Sequence, residues 1–294
     1  MSSETLGFIG LGSIGAPMAA NLVAAGHRVV GFDVAGTGER LPSGAVAANS
    51  VEETAAQVDT LFMSLPNGAA SKAVCSQLAG AERQQAHIIV DLSTIGLEAV
   101  QECARLLEHT RMVYVDAPVS GGVPGARAGS LTVMVGAERS VFEKISPLLS
   151  AIAKNCFHMG DKPGDGQVMK LLNNFLSATA LAATSEAVLF GVRFGLDIDQ
   201  IVNVINVSSG RNTASTDKFP QSVIPQTYDY GFAAALMSKD VDLYLESVEA
   251  IGTCYDVGTA IARTWQAFVA SFPDADFTYI YKYLEGLQVR SGRS

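Results

Sequence analysis

Cysteine is scarce in this chain, with Cys75, Cys103, Cys156 and Cys254 the four among 294 residues. None lies close to another, and no CxxC or Cys/His ligand spacing is present. That argues against a disulfide framework and against a metal site, and it fits reduced thiols in the cytoplasm. Charge is also sparse and of the wrong sign for nucleic acid. Charged residues make up 17%, the net charge is −9, and there is no basic cluster. Long apolar runs are missing too. The most apolar stretch, 175–192, is broken by Ser177, Thr179, Thr184, Ser185 and Glu186, so no membrane span is expected. The Met1-Ser2-Ser3-Glu4 start lacks a basic region, so no signal peptide is expected.

What remains is an apolar chain, 48% hydrophobic, long enough for two cores. In the first half, short apolar runs at Leu6–Ile9, Arg28–Asp33, Thr60–Leu65, His87–Leu92 and Met112–Val115 alternate with helical segments near Pro17–Ala25, Val51–Gln57, Ala70–Leu78 and Leu97–His109. Leu131–Val135 adds a strand and Val141–Ile152 a helix. Such alternation predicts a parallel sheet covered on both faces. From Gly166 the periodicity is helical, with no convincing strand. One long helix from Gly166 to Arg193 is stopped by Gly195, and others fit Asp197–Val207, Ala233–Ile251, Val257–Ala270 and Phe277–Leu287. The expected fold is an α/β Rossmann-type doubly wound sheet (1–163) followed by an all-α domain (164–294), with 164–194 as the connecting helix.

Gly10-Leu11-Gly12-Ser13-Ile14-Gly15 follows the first strand and opens a helix. This is the dinucleotide fingerprint in its required context. Gly10 permits the tight turn, Gly12 the close approach of a pyrophosphate, and Gly15 helix–strand packing. Free N–H groups at the helix start suit the phosphates. Asp33 ends the second strand 18 positions after Gly15. A carboxylate there accepts hydrogen bonds from ribose hydroxyls and repels a 2′-phosphate. Val34-Ala35-Gly36 follows it with no arginine close by, so the cofactor is expected to be NAD rather than NADP.

Lys170 stands in Gly166-Gln167-Val168-Met169-Lys170-Leu171-Leu172-Asn173-Asn174, the start of the long helix. With ~3.6 residues per turn, Lys170, Asn173, Asn174 and Ser177 share one face. Burial lowers a lysine's pKa and makes it a general acid or base; the alternative is a lysine that snorkels to solvent. Ser120-Gly121-Gly122, in the segment beginning at Asp116, offers consecutive backbone N–H groups. It reads either as a nest for a carboxylate or as a simple Gly-rich turn.

Together these segments resemble the β-hydroxyacid dehydrogenase family, which includes 3-hydroxyisobutyrate dehydrogenase and tartronate semialdehyde reductase. The resemblance spans essentially the whole chain. It is carried by GFIGLGSIGAPMAANL at the N-terminus, DLSTI at 91–95, DAPVSGG at 116–122, GARAGSLTVMVG at 125–136, GQVMKLLNN at 166–174 and KDVDL at 239–243. It implies an NAD-dependent oxidoreductase that interconverts a small β-hydroxy acid and its semialdehyde or keto form by hydride transfer. Lys170 would be the acid/base, with Asn174 holding the substrate beside it. Ser120, Gly121 and Gly122 would take the substrate carboxylate. Thr94 and the Leu65-Pro66-Asn67 turn would lie near the nicotinamide, and Lys239 would reach both cofactor and substrate. Without the resemblance, Lys239 reads as a surface lysine paired with Asp240 or Asp242.

The related 6-phosphogluconate dehydrogenases carry a histidine and a glutamate where this chain has Asn173 and Ser177. That implies hydride transfer without decarboxylation. Imine reductases share the architecture but usually lack the lysine; an imine or other carbonyl reductase is the alternative reading. Arg211, in Ser208-Ser209-Gly210-Arg211-Asn212, either binds a second substrate carboxylate or caps a helix end. The candidate substrates are therefore 3-hydroxyisobutyrate, glycerate, L-threonate and 2-(hydroxymethyl)glutarate. Apolar helix faces at Ala180–Phe190, Val202–Val207, Ala233–Met237 and Val257–Val269 fit a homodimer or homotetramer.

Overall fold

The structure, a computed structural model, describes residues 3–81 and 85–287. Met1 and Ser2, where the N-terminal reading begins, lie outside them. The chain divides into two compact units, Met1–Leu171 and Leu172–Ser294.

The first unit is built on nine strands: β1 (Thr5–Ile9), β2 (Arg28–Phe32), β3 (Val46–Ala47), β4 (Thr60–Met63), β5 (Ile88–Asp91), β6 (Val113–Asp116), β7 (Val119–Ser120), β8 (Leu131–Gly136) and β9 (Ala153–Gly160). Their order is β3-β2-β1-β4-β5-β6-β8-β7, with β9 beside β8. The strands from β3 to β6 pair in parallel, and β8 runs antiparallel to β6 and β7. This is the doubly wound arrangement that the strand–helix alternation predicts.

The helices of this unit are α1 (Gly15–Ala24), α2 (Thr37–Arg40), α3 (Val51–Ala55), α4 (Gly68–Gly80), α5 (Leu97–Leu107), α6 (Gly122–Ala128) and α7 (Arg139–Leu149). Successive strand residues point to opposite faces, so each apolar strand feeds two cores. Phe8, Val29, Phe62 and Val90 join Met18 and Leu22 of α1 and Ile145 and Leu149 of α7. Ile9, Val30, Leu61, Met63 and Ile89 join Val74 and Leu78 of α4 and Val100 and Leu107 of α5.

Helix α8 runs from Asp165 to Phe194, and the boundary between the units falls inside it. Gly195 (φ +105°) stops it in a conformation that side chains resist. By length and composition α8 could cross a membrane, as the core helix of a soluble protein also can; 44% of its apolar window is buried. The second unit contains α9 (Ile198–Asn206), α10 (Ala234–Ile251), α11 (Asp256–Ser271) and α12 (Ile280–Gly286). Its core gathers Leu181, Val188, Phe219, Met237, Val241, Trp265, Phe268 and Ile280.

Several elements differ from the sequence-based expectation. Strand β9 is half-exposed and carries Lys154, Asn155 and His158, so its composition hides it. The predicted helix Phe277–Leu287 begins instead as a 3-10 turn, Phe277–Tyr279, capped by Asp276, before α12. Ala214–Val223, to which the sequence assigned no element, is a π-helix. Asn212 organises its start, with Oδ1 accepting the Ala214 N–H at 2.8 Å and the Ser215 N–H at 3.2 Å.

Candidate active site

The turn between β1 and α1 carries Gly10, Leu11, Gly12, Ser13, Ile14 and Gly15. A side chain at Gly10 would sit 2.2 Å from the Ser64 carbonyl, and one at Gly15 would sit 1.9 Å from the Gly10 carbonyl. Both are glycine for internal reasons. Gly12 is different, because nothing lies within 4 Å of the Cβ it lacks. Its bareness serves nothing inside the protein and leaves the backbone open, as a bound pyrophosphate needs.

Asp33 lies just past β2 and is almost fully buried. Its Oδ2 accepts the Leu11 N–H at 2.8 Å and its Oδ1 the Ala35 N–H at 2.8 Å. The carboxylate is therefore fixed to the glycine turn. The sequence reading missed one neighbour: Arg40, at the end of α2, brings Nη1 to 3.8 Å from Asp33 Oδ2. Distance in sequence hid it, since the turn opened by Gly36 folds α2 back on the strand end.

The sheet order sets these residues beside the other predicted cofactor contacts, because β2, β1, β4 and β5 are neighbours with aligned ends. Leu65 and Thr94 are half-buried past β4 and β5, while Pro66 and Asn67 are exposed. The two loops are tied together by the Leu65 N–H, which donates to Ser93 Oγ at 2.7 Å. Asn67 Oδ1 is used as the cap of α4, accepting the Ala70 N–H at 3.0 Å.

After β6 the chain enters Ser120, Gly121 and Gly122. Gly121 has φ +130° and Gly122 φ +61°, so the backbone here is one that favours glycine. The first N–H groups of α6 have no acceptor within their own helix, and they stand beside the end of β7.

A buried network joins these loops to the start of α8. Gln167 Oε1 accepts the Ile95 N–H at 3.0 Å and the Gly96 N–H at 3.2 Å. Its Nε2 donates to Ser93 O at 3.0 Å and to Asp116 Oδ1 at 2.9 Å. Asp116 Oδ2 accepts the N–H groups of Gly164 at 3.0 Å and Gln167 at 2.9 Å. Burial pushes the Asp116 carboxyl up to about 7, against the pull of these donors. The network fixes the first turn of α8, and Lys170 follows one turn on, buried at 7% exposure. Gln167 and Asp116 sit inside quoted motifs, but their partners are 48 to 74 residues away in sequence, and motif spacing does not show such bonds.

One turn beyond Lys170, Asn174 is buried and its Nδ2 donates to Asp240 Oδ2 at 2.6 Å. Lys239 Nζ stands 2.9 Å from Asp240 Oδ1. Asp240 thus holds two of the predicted substrate residues together in the second unit. The sequence offered it only as a surface partner for Lys239. Arg211 is exposed, and its guanidinium makes no hydrogen bond or ion pair among the described residues. No group of three His, Cys, Asp or Glu able to hold a metal occurs among the described residues.

Known proteins resemble this chain over most of its length. Residues 5–160 match the NAD-binding domain of 6-phosphogluconate dehydrogenase, and residues 164–284 match the NAD-binding region of NADP-dependent 3-hydroxyisobutyrate dehydrogenase. The 2-(hydroxymethyl)glutarate dehydrogenase of Eubacterium barkeri is 39% identical over 83% of this chain and 82% of its own length. The 3-hydroxyisobutyrate dehydrogenase of Pseudomonas aeruginosa is 36% identical over 96% of this chain and 98% of its own. Among solved structures, Mycobacterium tuberculosis 3-hydroxyisobutyrate dehydrogenase with L-serine superposes at a TM-score of 0.89, with 33% identity, covering 97% of this chain and all of its own. An imine reductase from a Pseudomonas species, at 17% identity and a TM-score of 0.64, shares the fold alone. A bare glycine turn beside a buried carboxylate, a lysine helix riveted to the strand ends and near-complete coverage of these dehydrogenases lead to one conclusion: the chain belongs to the β-hydroxyacid dehydrogenase family, as an NAD-binding oxidoreductase that acts on the CH–OH group of a hydroxy acid.

Proposed function

We propose that Lys170 is the acid/base for interconversion of a small β-hydroxy acid and its semialdehyde or keto form, in the manner of 3-hydroxyisobutyrate dehydrogenase. The observation that carries this reading is a buried lysine one turn past a helix start that Gln167 and Asp116 hold against the strand-end loops. An amine held beside a substrate hydroxyl can accept its proton as hydride leaves the carbinol carbon. In the reverse direction its ammonium returns the proton to the carbonyl oxygen. NAD, when bound, supplies the redox chemistry at the carbinol carbon.

Other roles follow from position. The backbone of Ser120, Gly121 and Gly122 holds the substrate carboxylate, which fixes the carbinol carbon and lowers the entropic part of the barrier. Asn174 orients the substrate beside Lys170, and Lys239, set by Asp240, binds substrate and cofactor. Gly10 to Gly15 hold the pyrophosphate and Asp33 the ribose, with Leu65, Pro66, Asn67 and Thr94 beside the nicotinamide. In this reading residues 1–163 bind NAD, and 164–294 supply substrate contacts and the contact between subunits. Exposed Phe190, Phe194, Val204 and Val207 support a homo-oligomer, and the free cysteines a cytoplasmic setting.

The test is the initial rate of NADH formation across 3-hydroxyisobutyrate, glycerate, L-threonate, L-serine and 2-(hydroxymethyl)glutarate, with Lys170→Ala beside the wild type. Turnover by the wild type alone is expected. Near-normal turnover by the variant would remove Lys170 from the mechanism.

A further inference from the structure

Lys218 is a buried ammonium that none of these roles uses. It lies in the π-helix Ala214–Val223 and is 6% exposed. Its Nζ donates to Thr213 Oγ1 at 2.7 Å and to Ser177 Oγ at 3.2 Å. Both partners are neutral hydroxyls. An ammonium has three donors, and these bonds use two of them among the described residues. Burial pulls the Lys218 pKa down, and the neighbouring Asp217 offsets this only in part. Taking an ammonium out of water without a paired anion is unfavourable. A chain that needed only packing here would be better served by methionine or leucine.

The position of the ammonium gives that cost a purpose. Ser177 follows Lys170 by seven residues on α8. Seven steps of ~100° fall ~20° short of two full turns and advance ~10 Å. Lys218 is therefore anchored on the same helix face as Lys170 and Asn174, two turns further on. Ser177 is half-buried and Thr213 exposed, so the anchor lies just beneath water. Arg211, the cation that the sequence suggested for this task, is exposed, and its guanidinium makes no hydrogen bond or ion pair among the described residues.

We infer that Lys218 binds a second, distal carboxylate of the substrate and so selects a dicarboxylic β-hydroxy acid. This rests on the hydroxy-acid dehydrogenase reading above. The distal carboxylate takes the remaining donor and supplies the missing counter-charge. A monocarboxylate leaves Lys218 without an anion.

The experiment measures kcat and KM for 2-(hydroxymethyl)glutarate and for 3-hydroxyisobutyrate, with NAD, in the wild type and in Lys218→Met. The wild type is expected to favour the diacid. The variant is expected to lose about 10–100-fold of that preference, mainly through KM for the diacid, as one charge-assisted hydrogen bond dictates. A purely structural lysine would lower both activities together and leave the ratio unchanged, which overturns the inference. A second measurement needs only wild-type protein: glutarate should inhibit at least about tenfold more tightly than butyrate. Equal inhibition also overturns it. Turnover of 3-hydroxyisobutyrate without preference for the diacid defeats this inference alone. No turnover of any β-hydroxy acid would defeat the parent reading, and this one with it.

Discussion

Replacing Gln167 with leucine tests how the site is held together. Gln167 is 1% exposed. Its side chain accepts from two loop N–H groups and donates to one carbonyl and one carboxylate. Leucine keeps most of the volume and removes all four bonds. Each buried group left without a partner costs about 1–3 kcal/mol. The two amides share one acceptor, and Asp116 keeps its two backbone donors, so the loss should be about 3–4 kcal/mol. Such a loss shifts a urea midpoint by roughly 1.5–2 M for a slope near 2 kcal/mol/M.

The loss should also depend on pH. The Asp116 carboxyl is raised from 3.8 to about 7 in the folded protein. A group raised on folding contributes stability that is fully present below its unfolded pKa and is lost as pH rises through the folded one. The Asp116 contribution to wild-type stability should thus fall between pH 4 and pH 7 by about 4 kcal/mol, at 1.36 kcal/mol per unit. Without the Gln167 side-chain donor the folded pKa climbs further, so the decline extends to higher pH. The difference between variant and wild type should be larger at pH 8 than at pH 5. Urea unfolding at both pH values, followed by far-ultraviolet circular dichroism, measures it. Hydrogen exchange at the Ile95 and Gly96 amides localises it. A loss under about 1 kcal/mol that is equal at both pH values would refute the claim that Gln167 holds an ionisable Asp116 in place.

Lys170→Ala should lower kcat by about 10²–10⁴-fold while leaving NAD affinity, read by fluorescence titration of NADH, within about threefold. Asp33→Ser should raise the NADP-to-NAD ratio of kcat/KM by at least about tenfold, because it removes the carboxylate and releases the Arg40 guanidinium for a 2′-phosphate; an unchanged ratio would contradict the ribose assignment. Gly12→Ala meets no atom within 4 Å. It should therefore keep the melting temperature of the free protein while weakening NADH binding at least about tenfold, whereas Gly15→Ala, which meets the Gly10 carbonyl, should lower the melting temperature as well.

What could be read from the sequence was what local patterns encode. The Gly10–Gly15 turn, the strands β1, β2, β4, β5 and β6 and the long helix ending at Gly195 depend on neighbours a few residues away and formed in the predicted places, whereas the two-residue strand β3 was too short to leave a pattern. Strand β9 escaped because its outward positions carry Phe157 and Met159 and its inner ones Cys156, His158 and Gly160, so the polar–apolar alternation of a strand with one wet face is missing. The π-helix escaped because its start depends on Asn212 donating to Thr184 Oγ1 at 3.0 Å, a residue on another helix. The same division runs through the site. Lys170 and Asn174 are visible as one helix face. The residues that hold them in position, Gln167 with Asp116 and Asp240 with Lys239, act through bonds that close only when distant segments meet. Lys218 marks the extreme case. In the sequence it is one lysine in a polar stretch, and only its bond to Ser177 places its charge on the α8 face that carries Lys170. In the proposed reading, selectivity between hydroxy acids depends on such bonds, whereas the reaction class is carried by the motifs. A sequence of this kind therefore identifies its chemistry sooner than its substrate.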